Sequence, residues 1–492
     1  MASKPKKRAI AGCEGEGGGC SESKSMIDRL SDLPDQVAHH ILSFLTVVDL
    51  VRLCCVSKRW RELSLSAPCL NFDDIPSSCR STCYDRLQLM TYLERFLFHR
   101  GDNKVQSFHV NWERHYMDEN ETVCICSSEH YRLLTWINCA VRCNVEVLDL
   151  KMALYDPEEA PFPSSVFLCG TLKSLVVDMN FTLLRTPSFG FSSNLSKLQL
   201  KDVVIEDERF FKWISCSCKF IQELHLDQVR GIETISIASS SLKIFRFFDV
   251  FNTSHLSISG EKLEDIVVGW YVESPSNSSL NICAPNLKVL SWSGKLMNHL
   301  SLGKFRCLEA AVLRLRPDAD EVDKVYEVLC SLCKVRALML DEATIKAPFS
   351  KGSMRAPISN IHCLTMDTGR ITDELVPAIA SLFKGLPNLY ILCIQYKPPL
   401  DGPQSNTSGF DMGYWKLQNL AFIDQLKVVS IELCNDSNVI DLARYILECA
   451  QNLLQMIVIS PPQDSDAVTK KLMGSKIVSG ATVVYREREK RG

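Results

Sequence analysis

The sequence predicts an α/β repeat protein: a short module of three helices, then a long arc of stacked parallel strands, then a closing strand–helix–strand unit. Three observations predict it. Helix-start signals crowd into residues 26–72. Beyond residue 140 one six-residue apolar pattern recurs thirteen times. The chain also contains no G-x-x-x-x-G-K-[ST], H-E-x-x-H or G-x-S-x-G, so the pattern is not the frame of a common nucleotide-binding or hydrolytic site.

Composition narrows the class of partner. At 492 residues the chain needs several domains or one long array, and 46% hydrophobic content is enough for folded cores. A net charge of −3 predicts neither nucleic-acid nor acidic-membrane binding. No apolar run has the length of a membrane span, and the first residues lack the apolar core of a secretory signal. The 22 cysteines therefore read as reduced, mostly buried thiols of a nuclear and/or cytoplasmic protein. Residues 1–25 read as a disordered leader. Its Lys4-Pro5-Lys6-Lys7-Arg8 cluster is either a nuclear import signal or a solvated basic tail.

The helical module follows from local signals. Pro34 suits a first helical turn, where its missing N–H costs nothing. Val37, Ile41 and Leu45 then recur at helical spacing and define an apolar face. Thr46 to Asp49 has the form of a capping box, followed by a stripe of Leu50, Leu53 and Cys54. Ser57 can cap a third helix carrying Trp60. Three helices this short cannot bury all these groups among themselves, so some must pack on the rest of the chain or on another protein. The ordered run Leu33-Pro34, Ile41-Leu42-Ser43-Phe44-Leu45, Asp49-Leu50 and Val56-Ser57-Lys58-Arg59-Trp60-Arg61 closely resembles the F-box motif. That resemblance implies a Skp-type adaptor as partner, linked to cullin and RING subunits. Carried over residue by residue, it assigns adaptor contacts to Leu33, Pro34, Ile41, Leu45, Leu50, Val56 and Trp60.

The repeats start at Val145, Leu172, Leu195, Ile221, Leu242, Leu263, Leu287, Leu308, Val335, Ile361, Leu389, Leu426 and Leu453. Spacings run from 21 to 28 residues with one of 37, the range of leucine-rich repeats plus one inserted loop at 401–413. In each unit the alternating Leu-x-Leu is a strand with one face inward, and only stacking buries that face. Some returns read as helices, Tyr131–Val141 and Glu321–Leu332 among them, and others, such as the Ser-rich stretch around Pro275, as plain loops. A doubly wound βα domain would need Gly-rich turns and stronger helices than most returns supply. Residues 73–140 read as a connecting and capping segment, 141–400 as the repeats, and 414–492 as the closing units, with a last helix and a strand at Ala481–Tyr485. Leu426-Lys427-Val428-Val429, Ala443 to Ala450 and Leu453 to Ile459 resemble the FBD domain that ends many plant F-box proteins. Glu432 to Asp436 departs from that family's usual turn.

No catalytic centre, cofactor or metal is expected. Cys330 and Cys333 form a lone C-x-x-C, which reads as small residues packed on a helix, as a zinc site needs a second pair. The outward residues of the strands line the concave face, among them Asp149, Lys151, Gln199, Glu223, Asp227 and Asp367. Lys201, His225, Arg246 and Phe248 fall on neighbouring units and form a candidate basic–aromatic patch for an acidic or phosphate-bearing ligand. A solvated strand surface explains the same residues. The expected function is substrate recognition within a Skp–cullin–F-box ubiquitin ligase, for a protein substrate that the sequence does not name. A small-molecule-sensing receptor of the same architecture and a non-degradative repeat scaffold are the alternatives.

Overall fold

In the computed structural model the described residues are 33–73, 83–112, 129–153, 161–188, 192–271, 277–318, 320–349, 358–397, 410–433, 437–462, 465–474 and 477–488. The leader with its basic cluster, loop residues 401–409 and Pro275 with its immediate neighbours lie outside them.

Three short helices come first: α1 (Asp35–Leu42), α2 (Val47–Leu53) and α3 (Lys58–Leu65). Their starts are built as the local signals require. The Thr46 hydroxyl accepts from the Asp49 N–H and donates to its carboxylate at 3.0 Å, and the Ser57 hydroxyl accepts from the Trp60 N–H at 3.2 Å. Helices α2 and α3 pack on α4 (Cys83–Arg100), which in turn packs on α5 (Glu129–Arg142).

The strands follow one another as β1 (Cys69–Asn71), β2 (Ser107–Trp112), β3 (Val147–Met152), β4 (Ser174–Leu184), β5 (Lys197–Ile205), β6 (Glu223–Asp227), β7 (Thr234–Ala238) and β8 (Ile244–Phe248). Next are β9 (His255–Ser259), β10 (Asp265–Trp270), β11 (Ser279–Cys283), β12 (Val289–Gly294), β13 (His299–Leu302) and β14 (Ala310–Leu315). The last are β15 (Ala337–Asp341), β16 (Cys363–Thr368), β17 (Ile391–Tyr396), β18 (Val428–Glu432), β19 (Gln455–Ser460) and β20 (Thr482–Glu487). Sixteen of them form one parallel sheet in chain order, omitting β7, β9, β11 and β13. This is a solenoid, with every one of the thirteen repeat patterns on a strand of that sheet. Register stacks the first inward position of each unit into a column: Leu148, Leu175, Leu198, Leu224, Phe245, Ile266 and onward, all fully buried. A side chain of this size contributes roughly 1.5–3 kcal/mol on full burial, so the column and its neighbour two residues on are the main cohesion of the array.

The returns differ from the expectation in one stretch. Strands β7, β9, β11 and β13 form a second parallel sheet on the opposite side of the core, where loops were expected near Pro275. Their sequences, TISIA, HLSIS, SLNIC and HLSL, alternate with period two, apolar groups inward and Ser, Asn or His outward. These four returns belong to the units starting at 221, 242, 263 and 287, spaced 21 to 24 residues, too few for a helix and its connections. Spacings of 26 to 28 residues accommodate helical returns: α6 (Arg209–Ser217), α7 (Val322–Ser331), α8 (Glu342–Phe349), α9 (Leu375–Lys384) and α11 (Ser437–Cys449). Helix α10 (Met412–Leu417) lies in the 37-residue unit, and α12 (Ser465–Met473) precedes β20. No helix among the described residues is long and apolar enough to cross a membrane.

Candidate interaction surfaces

Helix α1 carries two apolar stripes one residue apart, and packing separates their roles. Ala38 and Leu42 face the core with no exposure, whereas Val37, Ile41 and Phe44 are 44%, 41% and 74% exposed. Val56, between α2 and α3, is 67% exposed. Leu33, Leu45 and Trp60 are half-buried, and Pro34 is exposed. Leu50 corrects the expected contact set. It is fully buried within the core shared with α4, so it cannot touch a partner. Phe44 and Val37 were not among the expected contacts, because helical spacing alone does not say which of two adjacent stripes turns outward. The rigid base under this face is polar. Arg59 donates to the Leu33 carbonyl and pairs with Asp35 at 3.1 Å, while Arg61 donates to the Cys54 carbonyl at 3.1 Å, tying the loops to the helices.

The concave surface is organised as rows across the strands. One row runs His109, Asp149, Val176, Gln199, His225, Arg246, Val267 and Ser291. The next runs Lys151, Asp178, Lys201, Asp227, Phe248 and Gly269. The four patch residues are thus brought to three neighbouring strands, but their charges are largely spent. Lys201 pairs with Asp178 at 3.1 Å and Asp202 at 3.8 Å, and Asp178 raises its pKa first of all. Arg246 lies 3.8 Å from Asp265. Burial, then the Arg246 charge, lowers the His225 pKa and so disfavours its charged form. Phe248 lies over Gly269, where an added Cβ would come within 2.5 Å of its ring. Near the first end, the hydrogen bond to Asp149 raises the pKa of His109.

Further along, Asp367 corrects another expectation. It occupies an outward position yet is only 4% exposed, because Arg314 from β14 (3.1 Å) and Lys397 beyond β17 (2.7 Å) both close over its Oδ2. The Cys330/Cys333 pair is exposed, correcting the packed position expected for it. Among the described residues no group of three or more His, Cys, Asp or Glu is arranged to hold a metal ion.

A three-helix module with an outward apolar face, followed by a parallel-strand solenoid, is the architecture of an F-box-like domain joined to leucine-rich repeats. Comparison with known proteins gives the same assignment. Residues 30–70 match the family described as F-box-like, and residues 133–317 match the repeats described as FBD-associated F-box protein At5g56370, LRR repeats. An F-box/FBD/LRR-repeat protein of Arabidopsis thaliana is 25% identical over 486 residues, covering 92% of this chain and 93% of the relative. A second, also from Arabidopsis thaliana, is 24% identical over 75% of this chain and 78% of its own length. An FBD-associated F-box protein of the same plant is 30% identical over 46% of this chain and 48% of its own length. The chain thus carries an F-box-like module and FBD-associated leucine-rich repeats, and is similar to plant F-box/leucine-rich-repeat proteins. At family level that architecture is one of substrate adaptors, and an F-box implies binding to a Skp-type adaptor.

Proposed function

We propose that this chain is the substrate-recognition subunit of a Skp–cullin–F-box ubiquitin ligase, with the F-box face on the adaptor and the concave side of the solenoid on a protein substrate. The observation that carries the reading is the outward stripe of Val37, Ile41 and Phe44, with Val56, on helices whose opposite faces are already satisfied by the core. A face of this kind, with Trp60 half-buried beside it, suits a docking interface in which a few aromatic and aliphatic anchors carry most of the affinity. The subunit itself supplies proximity and no chemistry: it holds a substrate near a charged ubiquitin carrier and raises its effective concentration. Action in the nucleus or cytoplasm accords with the free thiols of the described cysteines and with the Lys4–Arg8 cluster.

The test is binding of the purified chain to a purified Skp-type adaptor, followed by reconstitution with cullin and RING subunits. Phe44→Ala with Ile41→Ala, or Trp60→Ala alone, is expected to weaken adaptor binding by about 2 kcal/mol or more. Wild-type affinity in both variants would defeat the reading.

A further inference from the structure

At the rim of the strand surface, an irregularity within β4 and the loops that follow β6 and β8 meet around one arginine. The Arg230 guanidinium carbon lies 3.7 Å from the centre of the Phe181 ring and 4.6 Å from that of Phe251. Its backbone is fixed on both sides: the Arg230 N–H donates to the Val203 carbonyl and the Ile205 N–H donates to the Arg230 carbonyl, each at 2.9 Å. The next residue, Gly231, has φ +90°, and a Cβ there would stand 2.5 Å from the Ile205 carbonyl oxygen, so only glycine lets the loop close this tightly. Phe251 is anchored by its N–H to the Val229 carbonyl at 2.9 Å.

Phe181 is held at φ 63° beside Asn180 at φ 34°, where the β4–β5 register shifts between Asp178 and Thr182. A left-handed backbone is costly for an aromatic residue and persists only where its surroundings enforce it. Here the strain places a ring against the guanidinium. Two rings this close to the guanidinium hold it by cation–π attraction without using its N–H donors. Arg230 is exposed, and among the described residues no acceptor bonds its guanidinium and no carboxylate lies within 4.0 Å of it. Asp202 feels its charge, yet Asp202 sits against Lys201, which also holds Asp178.

We infer that Arg230, fixed by Phe181 and Phe251, is a recognition point for a single oxyanion on a substrate peptide, either a side-chain carboxylate or a phosphorylated hydroxyl. Both offer two oxygens to the planar fork. The inference rests on the reading of the solenoid as the substrate-binding part and names the class of group it takes. Asp178, Asp202, Asp227 and Asp249 near the same rim repel a long acidic run, so one oxyanion is favoured over several.

The experiment uses the full chain bound to its purified adaptor and an array of dodecapeptides. Matched spots carry glutamine, glutamate or phosphoserine at one position of a neutral background. The wild type is expected to prefer glutamate or phosphoserine spots over glutamine spots by about tenfold, as a bidentate charged contact implies. The two anionic sets show which source is favoured. Arg230→Met, which keeps the packing stem, should abolish the preference with an unchanged melting temperature, and Phe181→Leu should reduce it. Equal preference in Arg230→Met and wild type, or a wild type that binds peptides without regard to the oxyanion, would overturn the inference and leave substrate binding by the solenoid standing. Adaptor binding, measured on the same samples, reports the F-box reading independently.

Discussion

Phe44 and Leu50 are both apolar F-box residues six positions apart, and they should respond to truncation in opposite assays. Phe44→Ala removes an exposed ring, so stability should change by about 0.5 kcal/mol or less while adaptor binding falls. Leu50→Ala empties a fully buried site and should lower stability by about 3 kcal/mol, read by chemical denaturation. Nothing in the spacing of residues 37 to 50 separates the two behaviours. The F-box was legible as an ordered motif, but which stripe turns outward depends on how α1 packs on α3 and how α2 and α3 pack on α4, which no local pattern specifies. The two concave histidines form a second contrast. His109, with its pKa raised by Asp149, adds stability below the ordinary imidazole value that is lost as pH rises through the raised pKa. His225, with its pKa lowered by burial, has the reverse sign: its contribution is present above the ordinary value and lost as pH falls toward the lowered one. Imidazole proton resonances followed by NMR should show His109 titrating above, and His225 below, about 6.5; coincident midpoints would contradict both environments.

At the scale of elements, Asp367 shows how strands that are not neighbours are tied. Arg314 reaches from β14 past β15, touching the Met339 sulfur at 3.4 Å, to the carboxylate on β16, and Lys397 arrives from the far side of β17. The two cations remain 34% and 48% exposed while the carboxylate is almost enclosed, so the pair terms are unequal. Removing the anion by Asp367→Ala lets both cations return to water and should cost about 2 kcal/mol. Removing both cations by Arg314→Met with Lys397→Met strands a buried charge and should cost about 3 kcal/mol or more. Denaturation midpoints in the opposite order would refute this account. The repeats themselves were readable because Leu-x-Leu recurs at every turn of the solenoid. The second sheet was not expected, although its signal is present in the alternation of TISIA and HLSIS and in the short spacing that leaves no room for a helix. Strands of five residues between turn signals look like loops until they are stacked. The Phe181–Arg230–Phe251 cluster was not readable, since it joins an irregularity in β4 to two loops whose residues share no period.

For the whole molecule, the exposed margins of the long sheet decide solubility. Strand β1 is only three residues long, and β20 carries Arg486 and Glu487 with most of its residues exposed. Short or charged margins discourage pairing with other chains. Arg488 fastens β20 by donating to the Tyr396 carbonyl at 2.7 Å. Removing residues 481–492 would uncover β19, whose QMIVIS is far more apolar, and the shortened protein should self-associate in size-exclusion chromatography with light scattering. A monodisperse monomer would count against that role for β20. The second sheet has a consequence for shape. Strands lie about 4.8 Å apart, whereas packed helices need about 8–10 Å. Units with helical returns are wider outside than inside, whereas the units of β6, β8, β10 and β12 have strands on both sides. The arc is therefore expected to curve less between Arg246 and Ser291 than along its helical stretches, an outcome that small-angle scattering of the full chain checks.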